Sequence, residues 1–161
     1  MNTIADISVN TASGQAKSLS DYAGQVLLIV NVASYCGYTS QYKGLEQLHQ
    51  QYRDRGLKIL AFPSNDFGAQ EPGTIAEIQA FCDRNYGVTF EIFDKVRAKG
   101  SQKHPLYARL TEAIAPASEV SWNFEKFLVG KTGEVVGRYR SSVTPSSPEL
   151  TEAIERELSA S

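Results

Sequence analysis

The sequence predicts an α/β fold in which helices flank a central mixed sheet, with a small amino-terminal hairpin beside it. Three observations carry this. Val26 to Ala33 (VLLIVNVA) and Leu57 to Pro63 (LKILAFP) are nearly continuous apolar runs, the pattern of strands buried on both faces. Between them, from Ser40 to Arg53, Tyr42, Leu45, Leu48 and Tyr52 recur at spacings of three and four, which predicts a helix with one apolar face. Strand, helix and strand in succession make a βαβ unit with a right-handed crossover, so at least part of the sheet is parallel. Near the carboxyl end, Phe124 to Val129 and Glu134 to Tyr139 flank Gly130-Lys131-Thr132-Gly133, a hairpin signal because the glycines permit the turn.

The other elements follow in chain order. Ile7 to Val9, a turn centred on Gly14 and Lys17 to Leu19 predict the amino-terminal hairpin. The first buried run ends at Ser34-Tyr35-Cys36-Gly37. After the second comes a polar loop, Ser64 to Gly73. Thr74 then offers an N-cap with Glu77 three residues on, a capping box that opens a helix reaching Tyr86, with Ile75, Ile78, Phe81 and Cys82 on one face. Phe90 to Phe93 is a short strand candidate and Leu106 to Ile114 a helix. Pro148 opens the closing helix, Glu149 to Leu158, after the Ser/Pro-rich loop Ser141 to Pro148. The whole is a thioredoxin-like layout, read as one domain over residues 1–161.

Composition narrows the function classes. A net charge near −2 with 21% charged residues gives no basic footprint for nucleic acid. Met1 to Val9 show no cationic segment followed by an apolar one, and no run approaches the ~18 apolar residues of a membrane span. A cytoplasmic protein without stable membrane association is expected. The two histidines, His49 and His104, form no ligand pair with each other or with the cysteines, so neither a metal nor another cofactor is expected. With only Cys36 and Cys82, a framework of structural disulfides is excluded, although a pair can still cycle between dithiol and disulfide.

Cys36 lies just beyond the carboxyl end of a buried strand and ahead of a helix, where α/β proteins place their chemistry. Helix-terminal N–H groups there favour an anion, so a partly ionised thiol is expected. A buried, inert cysteine would suit the same position. Tyr38 and Thr39 follow in place of a second cysteine, which excludes a local C-x-x-C disulfide.

Three blocks, Gly24 to Thr39 (GQVLLIVNVASYCGYT), Phe62 to Gly73 (FPSNDFGAQEPG) and Trp122 to Val129 (WNFEKFLV), resemble the glutathione peroxidase family, in order and over nearly the whole chain. The resemblance implies a hydroperoxide-reducing tetrad: Cys36 as the attacking thiol, with Gln70, Trp122 and Asn123. Their amides and indole N–H are neutral donors suited to a thiolate and a departing oxygen. It also implies that Cys82 resolves the Cys36 sulfenic acid, with thioredoxin as reductant. Because a disulfide needs Cα atoms within about 7 Å and a helix packed on the sheet holds Cys82 farther off, the helix from Thr74 to Tyr86 is expected to unwind in part for the bond to form. The absence of a long insertion between Lys103 and Trp122 implies a monomer. Ser64 and Asp66 stand where the family usually carries Cys and Gln, so no third thiol is available. Three alternatives stay open: a glutathione-recycled one-cysteine peroxidase, a peroxiredoxin-like thiol peroxidase, for which Ser34-Tyr35 is the wrong approach to the cysteine, and a non-catalytic binding module on the same fold.

Overall fold

The computed structural model describes residues 3–160. Alternation along the two long strands decides how its layers assemble. In β3 (Val26–Val32) and β4 (Leu57–Pro63), successive side chains point to opposite faces, and both faces are covered. Val26, Leu28, Val30, Leu57, Ile59 and Ala61 pack with α1 (Gln41–Tyr52), α2 (Ile75–Tyr86) and α4 (Pro148–Ser159). Leu27, Ile29, Leu60 and Phe62 pack on the other side with α3 (Pro105–Ala113) and with the hairpin of β1 (Ser8–Asn10) and β2 (Ala16–Ser18).

The five-stranded sheet runs β5-β4-β3-β6-β7, where β5 is Glu91–Ile92, β6 Lys126–Val129 and β7 Val135–Tyr139. β3 pairs parallel with β4, and β4 with β5; β6 is antiparallel to both β3 and β7. The expected mixed sheet is therefore present, with the βαβ unit at its centre. Isolated bridges from Thr3 to Glu134 and from Thr11 to Phe93 tie the amino-terminal segment to the sheet edges.

Element ends differ from the sequence reading by a residue or two, each for a local reason. His104 caps α3 by accepting the Leu106 N–H, which starts that helix at Pro105. Phe124 takes φ +64° and so falls outside β6. The capping box at Thr74 and Glu77 is closed in both directions.

The helices are not equally anchored. α1 buries Tyr42, Leu45, Leu48 and Tyr52 among others, whereas α2 fully buries only Ile78 and Cys82. Two such side chains supply on the order of 4 kcal/mol of hydrophobic stabilisation.

Candidate active site

Cys36 lies in a succession of turns between β3 and α1. The Thr39 hydroxyl accepts the Cys36 N–H at 2.9 Å and donates to the Ala33 carbonyl at 2.8 Å, closing the loop around the cysteine. Its thiol is nearly buried, while its neighbour Tyr35 is 67% exposed. One backbone donor meets the sulfur, the Tyr38 N–H at 3.3 Å. That donor belongs to a turn ahead of α1, which begins at Gln41, so the geometry corrects the expectation of a cysteine directly on the helix terminus.

The second block is brought to this loop by backbone and to the third block by side chains. Tyr35 N–H donates to the Gln70 carbonyl at 3.1 Å. The Gln70 side-chain oxygen accepts from Asn123 Nδ2 at 3.0 Å. Asn123, fully buried, places its other N–H on the Phe67 carbonyl at 3.3 Å. One of its amide donors thus orients Gln70 and the other is held by Phe67, so the N–H2 end of Gln70 is the end left to donate.

Trp122 packs edge-on against Phe67, with ring centroids 6.2 Å apart. It also borders a shallow cleft of about 400 Å³ shared with Tyr38, Ser121, Arg140, Ser141 and Ser142. Gly68 sits under its indole, where an added Cβ would stand 2.9 Å from the ring at φ +69°. Gly68→Ala is therefore expected to cost about 2–4 kcal/mol, from overpacking and a left-handed backbone together, and to lower peroxide turnover by displacing the indole. Denaturant unfolding and a turnover assay on the same preparation check both effects.

Two non-glycine residues flank this constellation in the left-handed region, Ala69 at φ +53° beside Gln70 and Phe124 at φ +64° beside Asn123. Such backbone costs about 1–2 kcal/mol per residue and persists only where the surroundings impose it. Asn31 is part of what imposes it. Its Nδ2 donates to the Trp122 carbonyl at 3.0 Å, and its own carbonyl accepts the Phe124 N–H at 2.6 Å. Asn31 and Thr39 were missed as site residues by sequence reasoning. The visible signal was one polar residue inside the apolar run VLLIVNVA.

The departures in the second block are structural. Ser64 Oγ donates to Asp66 at 3.1 Å, and Asp66 accepts from Arg97 Nε and from the Ala98 N–H, both at 2.6 Å, which anchors the loop to the segment after β5. In the third block, the buried Glu125 pairs with Arg138 and Arg140. Lys126 donates to the Ser141 carbonyl at 3.2 Å and the Val143 carbonyl at 2.5 Å, pinning the segment that lines the cleft. Burial pushes the Lys126 amine down to about 7.

Cys82 is buried in α2 and, like Cys36, is a free thiol. Burial pushes it up to about 11, and the charge of Glu71 acts in the same direction, against the Tyr42 hydroxyl that faces the sulfur. Among the described residues, no group of three or more His, Cys, Asp or Glu is placed to hold a metal, and no helix is long and apolar enough to cross a membrane.

The family model described as glutathione peroxidase matches residues 4–111. The chain belongs to the glutathione peroxidase family. As a member of it, the protein is a thiol peroxidase, an oxidoreductase that reduces hydroperoxides. The chain is 50% identical over 156 residues to the glutathione peroxidase-like peroxiredoxin GPX5 of Chlamydomonas reinhardtii, covering 96% of this chain and 95% of the relative. It is 46% identical over 165 residues to the hydroperoxy fatty acid reductase gpx1 of Synechocystis sp., covering 98% and 96% respectively. Among solved structures, Trgpx in its apo form superposes with a TM-score of 0.80 at 34% identity, over 98% of this chain and 96% of that one. The shared fold is thioredoxin-like, as the element order predicted.

Proposed function

We propose that this single-domain peroxidase uses Cys36 as its peroxidatic thiol and a two-cysteine cycle recharged by thioredoxin. The observation that carries the site assignment is the junction at Gln70, which meets the Cys36 loop through its carbonyl and Asn123 through its side chain. In the first half-reaction the Cys36 thiolate attacks one peroxide oxygen, the O–O bond breaks, and water or an alcohol departs with a proton. Gln70 N–H2 and the Trp122 indole donate to the oxygens, and Asn123 acts through Gln70 by fixing which end of the amide faces the substrate. The aromatic rim of Tyr35, Tyr38 and Trp122 suits the apolar body of an organic hydroperoxide as well as hydrogen peroxide.

In the second half-reaction Cys82 condenses with the Cys36 sulfenic acid, releasing water. The light anchorage of α2 supports this step, because the helix buries only two side chains fully, with Phe81 and Tyr86 partly buried beside them. The C. reinhardtii relative's name, a glutathione peroxidase-like peroxiredoxin, supports a thiol-disulfide reductant such as thioredoxin over glutathione. Two free thiols suit a reducing compartment such as the cytoplasm, and the short segment from Lys103 to Trp122 supports a monomer.

The test compares thioredoxin with glutathione as sole reductant and weighs the protein after one equivalent of peroxide. A loss of two hydrogens, mapped to a Cys36–Cys82 bond, with efficient turnover on thioredoxin, is the expected result. Efficient turnover on glutathione without that bond would make it a one-cysteine enzyme.

A further inference from the structure

One buried acid neighbours both Cys82 and the Cys36 loop and has no assigned part in the two-cysteine cycle. Glu71 follows Gln70 directly and is 0% exposed. Neither carboxylate oxygen closes a well-formed hydrogen bond, although Ser34 faces the group with its hydroxyl and its N–H. Its backbone is fully engaged: its N–H donates to Asn65 at 2.9 Å, and its carbonyl accepts from Lys95 Nζ at 2.7 Å. The same Lys95 amine donates to the Gly73 carbonyl at 2.9 Å, so the nearest cation is held by backbone and not by the carboxylate. A buried acid without a bonded cation is costly to keep unless it has a task.

The groups facing it indicate that task. From α2 comes Cys82, from α1 Tyr42, from the segment after β5 Lys95, and from the Cys36 loop Ser34. Ser34 Oγ is also buried and unpartnered. Glu71 therefore neighbours both the resolving cysteine and the loop of the attacking cysteine.

We infer that Glu71 is the proton acceptor for Cys82 in disulfide formation. This rests on the two-cysteine cycle proposed above. The Cys82 S–H bond breaks with its proton passing to Glu71. The sulfur electron pair forms the S–S bond to Cys36, the Cys36 S–O bond breaks, and the departing hydroxide takes a proton from solvent to leave as water, while Glu71 returns its own proton to solvent. Cys82 is oxidised, the sulfenic sulfur is reduced, and no further reagent is required. Burial raises Glu71 above the ordinary carboxyl range, opposed by Ser34 and Lys95, which makes it a stronger base than an exposed glutamate. A thiolate produced inside the apolar face of α2 is unstable there, so the same proton transfer drives the sulfur out of its pocket towards Cys36.

The test is rapid-quench mass spectrometry on the full chain after one equivalent of hydrogen peroxide, from pH 6 to 10. In wild type the disulfide should follow the sulfenic acid closely. In Glu71→Gln the sulfenic acid should accumulate, its conversion slowed by about 10²-fold at neutral pH, as for loss of a general base, and recovering only as pH climbs towards the titration of Cys82 itself. Glu71→Asp, which keeps the carboxylate, should recover much of the rate and serves as the second variant if the amide folds poorly. Disulfide formation in Glu71→Gln at the wild-type rate and with the wild-type pH profile would overturn the role of Glu71 alone. Absence of any Cys36–Cys82 bond in wild type would overturn both this role and the two-cysteine cycle.

Discussion

Cys36→Ser is expected to lower hydroperoxide turnover by at least about a thousandfold while leaving the fold intact, because a hydroxyl at neutral pH is no substitute for the nucleophile on which every later step depends. The turn around residue 36 is built by the Thr39 hydroxyl, the Cys36 N–H and the Ala33 carbonyl, none of which needs the sulfur. A serine oxygen can accept the Tyr38 N–H in its place. Turnover with any competent reductant, measured beside a thermal melt, checks the claim. A variant keeping a tenth of the wild-type rate would remove Cys36 from the chemistry and return the cysteine to the role of a packed core residue.

Cys82→Ser is expected to separate the two halves of the cycle. The variant should consume one equivalent of peroxide at the wild-type rate, then stop, with thioredoxin-supported turnover falling to background. Its Cys36 sulfenic acid should be trappable by a sulfenic-acid reagent and should pass to sulfinic acid under excess peroxide, since no second thiol remains to condense with it. A serine at this buried place should destabilise the chain by about 1–3 kcal/mol, moderated by the Tyr42 hydroxyl that faces it. Undiminished thioredoxin turnover would mean that Cys36 is reduced directly from solution and that Cys82 is only a core side chain.

The fold was legible where burial dictates pattern. β3 and β4 are covered on both faces, so their residues had to be apolar without alternation, and that run is visible in one sequence. Element ends were less legible, because His104 at α3 and the left-handed Phe124 ahead of β6 set them through contacts that spacing does not encode. The candidate site was legible by resemblance more than by physics. Gln70 and Asn123 taken singly are loop amides, and their partnership exists only because β6 returns beside β3 and carries residue 123 to the loop after β4. Asn31 was visible as an odd polar residue in an apolar strand, but its partners lie at the far end of the sequence. Glu71 was invisible for the opposite reason: a charged residue in a polar loop reads as solvated, and only the packing of segments distant in sequence around it makes it buried.

Cys82 is one of the two side chains that α2 buries fully, beside the partly buried Phe81 and Tyr86. Once its sulfur is drawn into a bond with Cys36, the helix keeps Ile78 alone as a fully buried anchor. In the proposed cycle the oxidised molecule would then differ from the reduced one in shape as well as in bonding, and a reductase could read the loosened segment as a flag that the peroxide has been spent. Amide exchange along residues 75–86 would record that flag directly, slow in the dithiol and fast in the disulfide, so that a local fold becomes the ledger of the protein's redox history.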